Sequence, residues 1–289
     1  MRQLLRVRSF PQGINNCYTF KQAQAKGSNY LIQAIFMYGN YDSKENPPEF
    51  GLYLEGDEWD MVTLSNASDV VIKEIIHVPM TDYIHVCLVN TGSGTPFISA
   101  LELRQLNNTI YKTHSGSLAL QMRLDVGSTT TQIVRYKDDV YDRIWKPYSQ
   151  SNWDSMTASY NSGTLNTNGF KPPSSVMMTA ARPPNGSKSL DFVYHPADSS
   201  QKLYLCVHFA SLEGIKANQL RIFKIYLNGE SWHKPVVLGH LLPYSVYSKQ
   251  SLSGTELSIS ITVTDNSTLP PVLNAMEIYM IKDFSQSPK

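Results

Sequence analysis

The sequence is short of charge, of cysteine and of long apolar runs. Asp, Glu, Lys and Arg make up 17% of its 289 residues, against about 25% in an ordinary soluble domain. Lys and Arg number 25 and Asp and Glu 24, for a net charge of +1, so the basic footprint of a nucleic-acid binder is missing. No apolar run approaches the length of a membrane span, so no direct insertion into a bilayer is expected. The start, Met1-Arg2-Gln3-Leu4-Leu5-Arg6-Val7-Arg8, is too short in apolar residues for a signal peptide and lacks a small-residue cleavage site. The three cysteines, Cys17, Cys87 and Cys206, include no Cys-x-x-Cys pair, which removes the usual zinc and redox signatures. Cys87 and Cys206 lie in strand-like runs and read as buried thiols, and an odd count leaves at least one cysteine unpaired within the chain.

Catalytic signatures are missing too. No His-Glu-x-x-His, Gly-x-Ser-x-Gly, P-loop or Gly-x-Gly-x-x-Gly occurs. The histidines, at 77, 85, 114, 195, 208, 233 and 240, are scattered, and His85 and His208 read as satisfied sheet residues. Asp138, Asp139 and Asp142 form the densest acidic cluster, and carboxylates so placed serve glycoside hydrolysis or calcium. The plainer reading is a loop whose carboxylates cap turns and pair with Arg143 or Lys137. The expectation is therefore a non-enzyme with no metal and no cofactor.

What is present is β-forming. Hydrophobic residues reach 42%, with 17 Tyr, 10 Phe and 4 Trp, a composition that fills cores and favours strands. Strand-like runs cover Tyr30–Tyr38, Phe50–Leu54, Val70–Val78, Tyr83–Val89, Phe97–Leu103, Leu203–Phe209, Arg221–Leu227, Glu256–Val263 and Leu273–Ile281. In Glu256–Val263 apolar residues alternate with Ser and Thr, the mark of a half-buried antiparallel strand. Pro, Gly and Asn clusters such as Asn46-Pro47-Pro48 and Pro183-Pro184-Asn185-Gly186 separate the runs. No helical period is sustained, so the fold class is all-β, of β-sandwich or jelly-roll type.

The chain also repeats itself. Phe50-Gly51-Leu52-Tyr53-Leu54-Glu55-Gly56-Asp57-Glu58-Trp59 matches Phe223-Lys224-Ile225-Tyr226-Leu227-Asn228-Gly229-Glu230-Ser231-Trp232 at five of ten positions, 173 residues apart. The same spacing pairs Ile32, Ala34 and Phe36 with Leu205, Val207 and Phe209, and a spacing of 175 pairs Pro96, Ala100 and Glu102 with Pro271, Ala275 and Glu277. Matched strands in matched order predict a duplicated domain. The second copy opens at Arg123-Leu124-Asp125-Val126-Gly127, and the repeat spacing sets the first copy's opening roughly 50 residues before Met1. The first domain is therefore expected to lack its opening strands.

Several stretches resemble one family. They are Arg8-Ser9-Phe10-Pro11-Gln12-Gly13 with Asn16-Cys17-Tyr18-Thr19, Phe36-Met37-Tyr38-Gly39-Asn40-Tyr41-Asp42, Lys73–Pro79, Val86–Gly92, Thr95–Leu103, Asp138–Trp145 and Leu269–Tyr279. The chain is similar, over essentially its whole length, to the malectin-like ectodomain of plant leucine-rich-repeat receptor-like Ser/Thr kinases. The resemblance implies two tandem malectin-like β-sandwiches, at 1–105 (truncated) and 123–283, joined by a linker at 106–122 and followed by a tail at 284–289. It implies an extracellular, non-catalytic module at the plasma membrane, with leucine-rich repeats, a transmembrane helix and the kinase outside this chain. The family's opening Asp-Cys-Gly strand is missing here, and its cysteine is implied as a partner for Cys17 or Cys87.

The implied ligand is a cell-wall oligosaccharide or a secreted peptide, with a co-receptor as a further partner. Aromatic rings stack on sugar faces while polar neighbours set orientation. Tyr38, Asn40, Tyr41 and Asp42 follow directly after a strand in the first unit. The matched second-unit loop, Ser211–Gly214, has no aromatic, and that unit offers Tyr141, Trp145, Tyr148 and Trp153 instead. Trp59 and Trp232 recur in both copies and are assigned to the shared fold. Asn-x-Ser/Thr sequons at Asn66, Asn107, Asn185 and Asn266 point to a secretory history. The alternatives are a peptide- or co-receptor-binding module without sugar, and an accessory module of a wall-acting hydrolase.

Overall fold

The computed structural model describes residues 2–22, 25–113, 116–158 and 169–284. It divides into two compact units, Met1–Leu120 with Ile281–Lys289, and Gln121–Met280. Both are built from β-strands, and the described α-helix is the single turn Ser174–Met177.

In unit 1, one antiparallel sheet orders the strands Asn15–Lys21, Tyr83–Ser93, Glu49–Leu54 and Asp57–Val62. The other orders Ala100–Gln105, Tyr30–Met37 and Val70–His77, with Leu118 and Ala119 paired on Ile76 and Ile75 at its far side. Ala100–Gln105 is an edge strand among the described residues. The two sheets meet through Phe36 and Phe50, whose ring centroids lie 5.7 Å apart. Their apolar residues alternate with outward ones, as in Ile84, Val86 and Leu88, all fully buried.

Unit 2 orders its strands in the corresponding way. Ser189–Tyr194, Leu257–Val263, Ile222–Leu227 and Glu230–Ser231 form one sheet. Tyr244–Tyr247, Leu203–Phe209 and Ala275–Lys282 form the other, with the strand Ser117–Val126 next to Ala275–Lys282. Phe50–Leu54 and Phe223–Leu227 occupy the same place in their sheets. Phe209 and Phe223, 173 residues after Phe36 and Phe50, repeat the ring contact at 5.0 Å. Trp59 is buried, and Trp232 is half-buried against the core. Leu124–Val126 runs parallel to Lys146–Tyr148, and an isolated parallel bridge joins Ser211 and His240.

Leu203–Phe209 is buried at every residue. Leu203, Leu205, Val207 and Phe209 enter the sandwich core, while Tyr204, Cys206 and His208 alternate onto the back of the sheet. Trp145 and Phe170, from the section that opens unit 2, pack on His208 there. A strand covered on both faces reads as a continuous apolar run, and this run does.

Within the expected linker, 106–122, Leu106, Ile110 and Tyr111 are buried, Asn29 binds the Ile110 carbonyl at 2.8 Å, and strand begins at Ser117. The thiol reading of Cys87 is replaced by a disulfide. Cys17 and Cys87 sit opposite each other on adjacent strands and bond at an S–S distance of 2.05 Å, so neither needs a partner from another strand. Cys206 is free and buried. In the expected tail, Phe284 packs on His77 with centroids 6.0 Å apart; 285–289 lie outside the described residues, as does His114.

Candidate recognition surfaces

In unit 1 the strand Tyr30–Met37 ends in a turn that Gly39 and Asn40 make at φ of +56° and +52°. This turn brings Tyr38, Asn40, Tyr41 and Asp42 together, but mostly around one another. Tyr38 is fully buried, its hydroxyl donates to the Asp42 carboxylate, and its ring meets Tyr41 at 5.4 Å and Phe97 at 6.0 Å. Tyr41 also leans on Phe97 at 5.6 Å. Burial, then the Asp42 charge and Tyr38, push the Tyr41 phenol up to about 12. The Tyr38 hydroxyl outweighs burial at Asp42 and holds that carboxyl below the usual carboxylate range. Asn40 accepts the Glu45 N–H at 2.9 Å. Half-buried Tyr41, Asn40 and Asp42 face solvent in part, while Tyr38 belongs to the Phe36–Phe50–Phe97 core.

The four second-unit aromatics do not form one platform. Trp145 is fully buried and Trp153 is 8% exposed. Tyr148 packs edge-on against Trp153 and Phe192 at 6.1 and 5.7 Å, within the sandwich core. Tyr141 stays half-exposed, with the Arg143 guanidinium 5.3 Å from its ring centre. The carboxylates nearby are saturated. Asp139 accepts from Arg143 Nε at 2.9 Å, Trp145 Nε1 at 2.7 Å and the Tyr141 N–H at 2.7 Å. Asp142 takes both Arg135 Nε and Nη2, at 2.9 and 2.6 Å, and the Tyr136 N–H at 2.8 Å. The expected pairing is made by Arg143, and Arg135 is a second cation of the cluster. A carboxylate so occupied anchors a loop and has little capacity left for acid–base work.

Behind the second sheet lies a buried polar network that the sequence did not signal. Glu277 Oε2 accepts from Arg123 Nε at 2.7 Å and from the Tyr279 hydroxyl at 2.5 Å. Its other oxygen meets His208 Nε2 at 3.0 Å, and His208 Nδ1 meets Ser245 Oγ at 2.6 Å. Burial would raise the Glu277 pKa, but Arg123, the His208 hydrogen bond and Arg143 outweigh it and hold the carboxyl well below its ordinary range. Burial lowers His208 and pushes the Cys206 thiol up. Cys206, His208 and Glu277 place ligand-type atoms within 4.8 Å of one another. Arg123 already occupies the carboxylate a cation would need, so the donor set fits a structural ion pair better than a metal centre. His85, half-buried, meets Thr19 Oγ1 at 3.0 Å, and both sheet histidines are partnered as expected.

The aromatic-free loop Ser211–Gly214 supplies Glu213, which accepts from Arg221 Nη2 and, at 3.4 Å, from Arg182 Nη1. Arg221 is fully buried, and its Nε and Nη1 find no partner among the described residues. In unit 1 a depression of about 330 Å³ opens beside the Ala100–Gln105 edge, lined by Arg8, Tyr18, Phe20, Ile98 and Leu101. Arg8 stands 5.3 Å from the centres of both Phe10 and Tyr18. Asn66, Asn107, Asn185 and Asn266 are all exposed.

Two-layered β units of corresponding strand order, with a surface disulfide in the first, define an all-β fold of sandwich type. The chain belongs to the malectin-like domain family, whose model matches residues 1–281. It is 42% identical to a putative leucine-rich repeat receptor-like protein kinase of Arabidopsis thaliana over 99% of its own length and 33% of the relative's. It is 40% identical to the LRR receptor-like serine/threonine-protein kinase IOS1 of the same plant, over 97% of this chain and 31% of that one. The chain thus spans about a third of the length of these relatives and carries their malectin-like ectodomain module. Its fold is that of the ANX1 ectodomain from Arabidopsis thaliana, with a TM-score of 0.73 at 17% identity, covering 99% of this chain and 87% of that one. It also matches a chain in the crystal structure of the plant peptide RALF23 with FER and LLG2, with a TM-score of 0.71 at 17% identity over 97% and 84% of the two chains. No helix among the described residues is long and apolar enough to cross a membrane.

Proposed function

We propose that this chain is the non-catalytic extracellular recognition module of a plant receptor-like kinase, at the outer face of the plasma membrane, where it reads a secreted peptide together with a co-receptor. The observation that carries the reading is full-length identity to receptor kinases in which this segment is about one third of the whole. The peptide and co-receptor are supported by the fold shared with a chain solved alongside RALF23 and LLG2. The exposed sequons and the Cys17–Cys87 bond suit an oxidising, secretory setting.

The tandem organisation is part of this reading. Corresponding sheet orders and the repeated Phe pair support two copies of one domain, with 1–105 and 123–283 as the repeated parts. The cell-wall oligosaccharide reading draws less support, because Tyr38, Trp145 and Trp153 are spent on their own cores. An accessory module of a hydrolase is disfavoured by the kinase identity of the relatives.

Calorimetric titration of the secreted, glycosylated chain tests the proposal. Synthetic plant secreted peptides, RALF23 among them, are titrated with and without LLG2, and oligogalacturonides and cello-oligomers in parallel. Peptide binding strengthened by the co-receptor is expected. Saturable sugar binding that Tyr41→Ala weakens by about tenfold, with no peptide bound, overturns it.

A further inference from the structure

We propose that unit 2 carries a sugar-binding bay whose occupant is the N-linked glycan of Asn266. The paired strands Ile222–Leu227 and Leu257–Val263 send Phe223, Ile225, Ile259 and Ile261 into the core. The alternate residues face outward, with Lys224 opposite Thr262 and Tyr226 opposite Ser260. On this outer face lies a depression of about 490 Å³, lined by Ile222, Lys224, Tyr226, Pro235, Thr262 and Asn266 among others. Tyr226 is half-exposed and Lys224 exposed. Neither the Lys224 ammonium nor the Tyr226 hydroxyl has a hydrogen-bond or ion-pair partner among the described residues. The bay thus offers an aromatic face with free donors beside it, the mix that holds a pyranose ring by its C–H face and hydroxyls.

What selects the occupant is the residue on the rim. Asn266 opens the sequon Asn266-Ser267-Thr268, and its loop is fixed to the strand it overlooks. Ser267 Oγ accepts the Ile222 N–H at 2.8 Å, and Thr268 Oγ1 accepts the Leu220 N–H at 2.8 Å. A glycan grown from Asn266 starts beside Ile222, and Tyr226 is four residues along, about 13 Å of strand rise. The first sugars of the glycan cover that distance, and the covalent tether removes the association cost that weakens free sugar at a shallow site. Unit 1 has no equivalent bay. Gly51 stands where unit 2 has Lys224, and the ring of Tyr53 folds over it, so that a Cβ at Gly51 would meet Tyr53 Cε2 at 2.7 Å. Where unit 2 has Asp191 and Ser260, unit 1 has the Cys17–Cys87 disulfide.

The secreted chain from a plant or insect host provides the test. Glycopeptide mass mapping is expected to find Asn266 occupied. An endoglycosidase that cuts the innermost disaccharide under native conditions is expected to act on Asn266 about three- to tenfold more slowly than on Asn185, the size of one aromatic contact. Tyr226→Ala is expected to abolish that protection and Tyr226→Phe to keep it; the side chain lies on the outer face, so neither change opens the core. An unmodified Asn266, or cleavage as fast as at Asn185 and indifferent to Tyr226→Ala, overturns the proposal. Binding of free chito- or cello-oligosaccharide at micromolar concentration by Asn266→Gln protein, lost with Tyr226→Ala, also overturns it, by assigning the bay to free sugar. None of these outcomes bears on the peptide reading.

Discussion

Replacing Gly127 by alanine probes the closest backbone approach in unit 2. Gly127 follows the strand Ser117–Val126, has φ of +74° and donates its N–H to the Tyr148 carbonyl at 2.8 Å. A Cβ there would lie 2.1 Å from the carbonyl carbon and oxygen of Ala180 and 2.6 Å from the Ala181 nitrogen. Those atoms are backbone, and Ala181 is tied to Leu273 by two hydrogen bonds of 2.8 and 3.0 Å, so they do not swing aside. The left-handed φ costs about 1–2 kcal/mol for a residue with a Cβ, and forced overpacking adds about 1–3 kcal/mol. The sum is about 2–5 kcal/mol, a fall in unit 2's melting temperature of roughly 5–15 °C for a domain of this size. Gly186→Ala is the control: φ is +89° but no atom lies within 4 Å of the added Cβ, so only the backbone strain remains. Scanning calorimetry and urea unfolding of both variants measure the difference. Equal losses in the two variants would refute the close-approach argument and leave left-handed strain as the whole effect.

Two further measurements concern the cysteines and a buried acid. Cys17→Ser with Cys87→Ser opens a loop of sequence separation 70 and is expected to cost about 4 kcal/mol on the chain-entropy model; non-reducing peptide mapping should recover the Cys17–Cys87 pair, with Cys206 alkylated only after unfolding. Burial pushes the Asp125 carboxyl from its ordinary 3.8 up to about 6, against hydrogen bonds from Thr179 and Ser128 that lower it. Its folded form therefore holds a proton longer than its unfolded form, and stability falls as pH rises from about 4 to about 6, by about 3 kcal/mol in all. Asp125→Asn should remove that slope and raise stability at pH 7, and urea unfolding across pH 4–7 checks it.

The fold was legible where one physical demand dominates a segment. Leu257–Val263 alternates because one face meets the core and the other water, and Leu203–Phe209 is continuous because both faces are covered. The repeat was legible because Phe36, Phe50, Phe209 and Phe223 fill equivalent positions. Legibility failed where polar groups are paid for by partners far along the chain. Ser117–Val126 carries Arg123 and Asp125, which look like solvent residues until Glu277 and Thr179 are placed beside them. Its first half falls within the expected linker because the stretch before Arg123 is polar and carries the Asn107 sequon. Asn15–Lys21 was overlooked because its outward residues are polar and its inward ones, such as Tyr18 and Phe20, are only half-buried. Of the candidate aromatics, Tyr38, Trp145 and Trp153 are buried while Tyr41, Tyr141 and Tyr148 are half-buried. A tyrosine or tryptophan after a strand stacks equally well on sugar or on Phe97, and a one-dimensional pattern does not distinguish them. Arg221 gave no signal at all, since its burial and its pairing with Glu213 through Nη2 alone exist only in three dimensions.

The edge strand Ala100–Gln105 bears on the colloidal behaviour of the chain. Among the described residues no strand pairs with its outer side, and Leu101 and Leu103 on it are half-buried, whereas their repeat partners Met276 and Ile278 are fully buried. Such an edge is a template on which another strand nucleates. Many sheets guard it with like charges, but here Glu102 and Arg104 neutralise each other at 2.6 Å. Electrostatic repulsion therefore contributes little to keeping molecules apart along this line, and solubility at high concentration depends on whatever physically caps the edge.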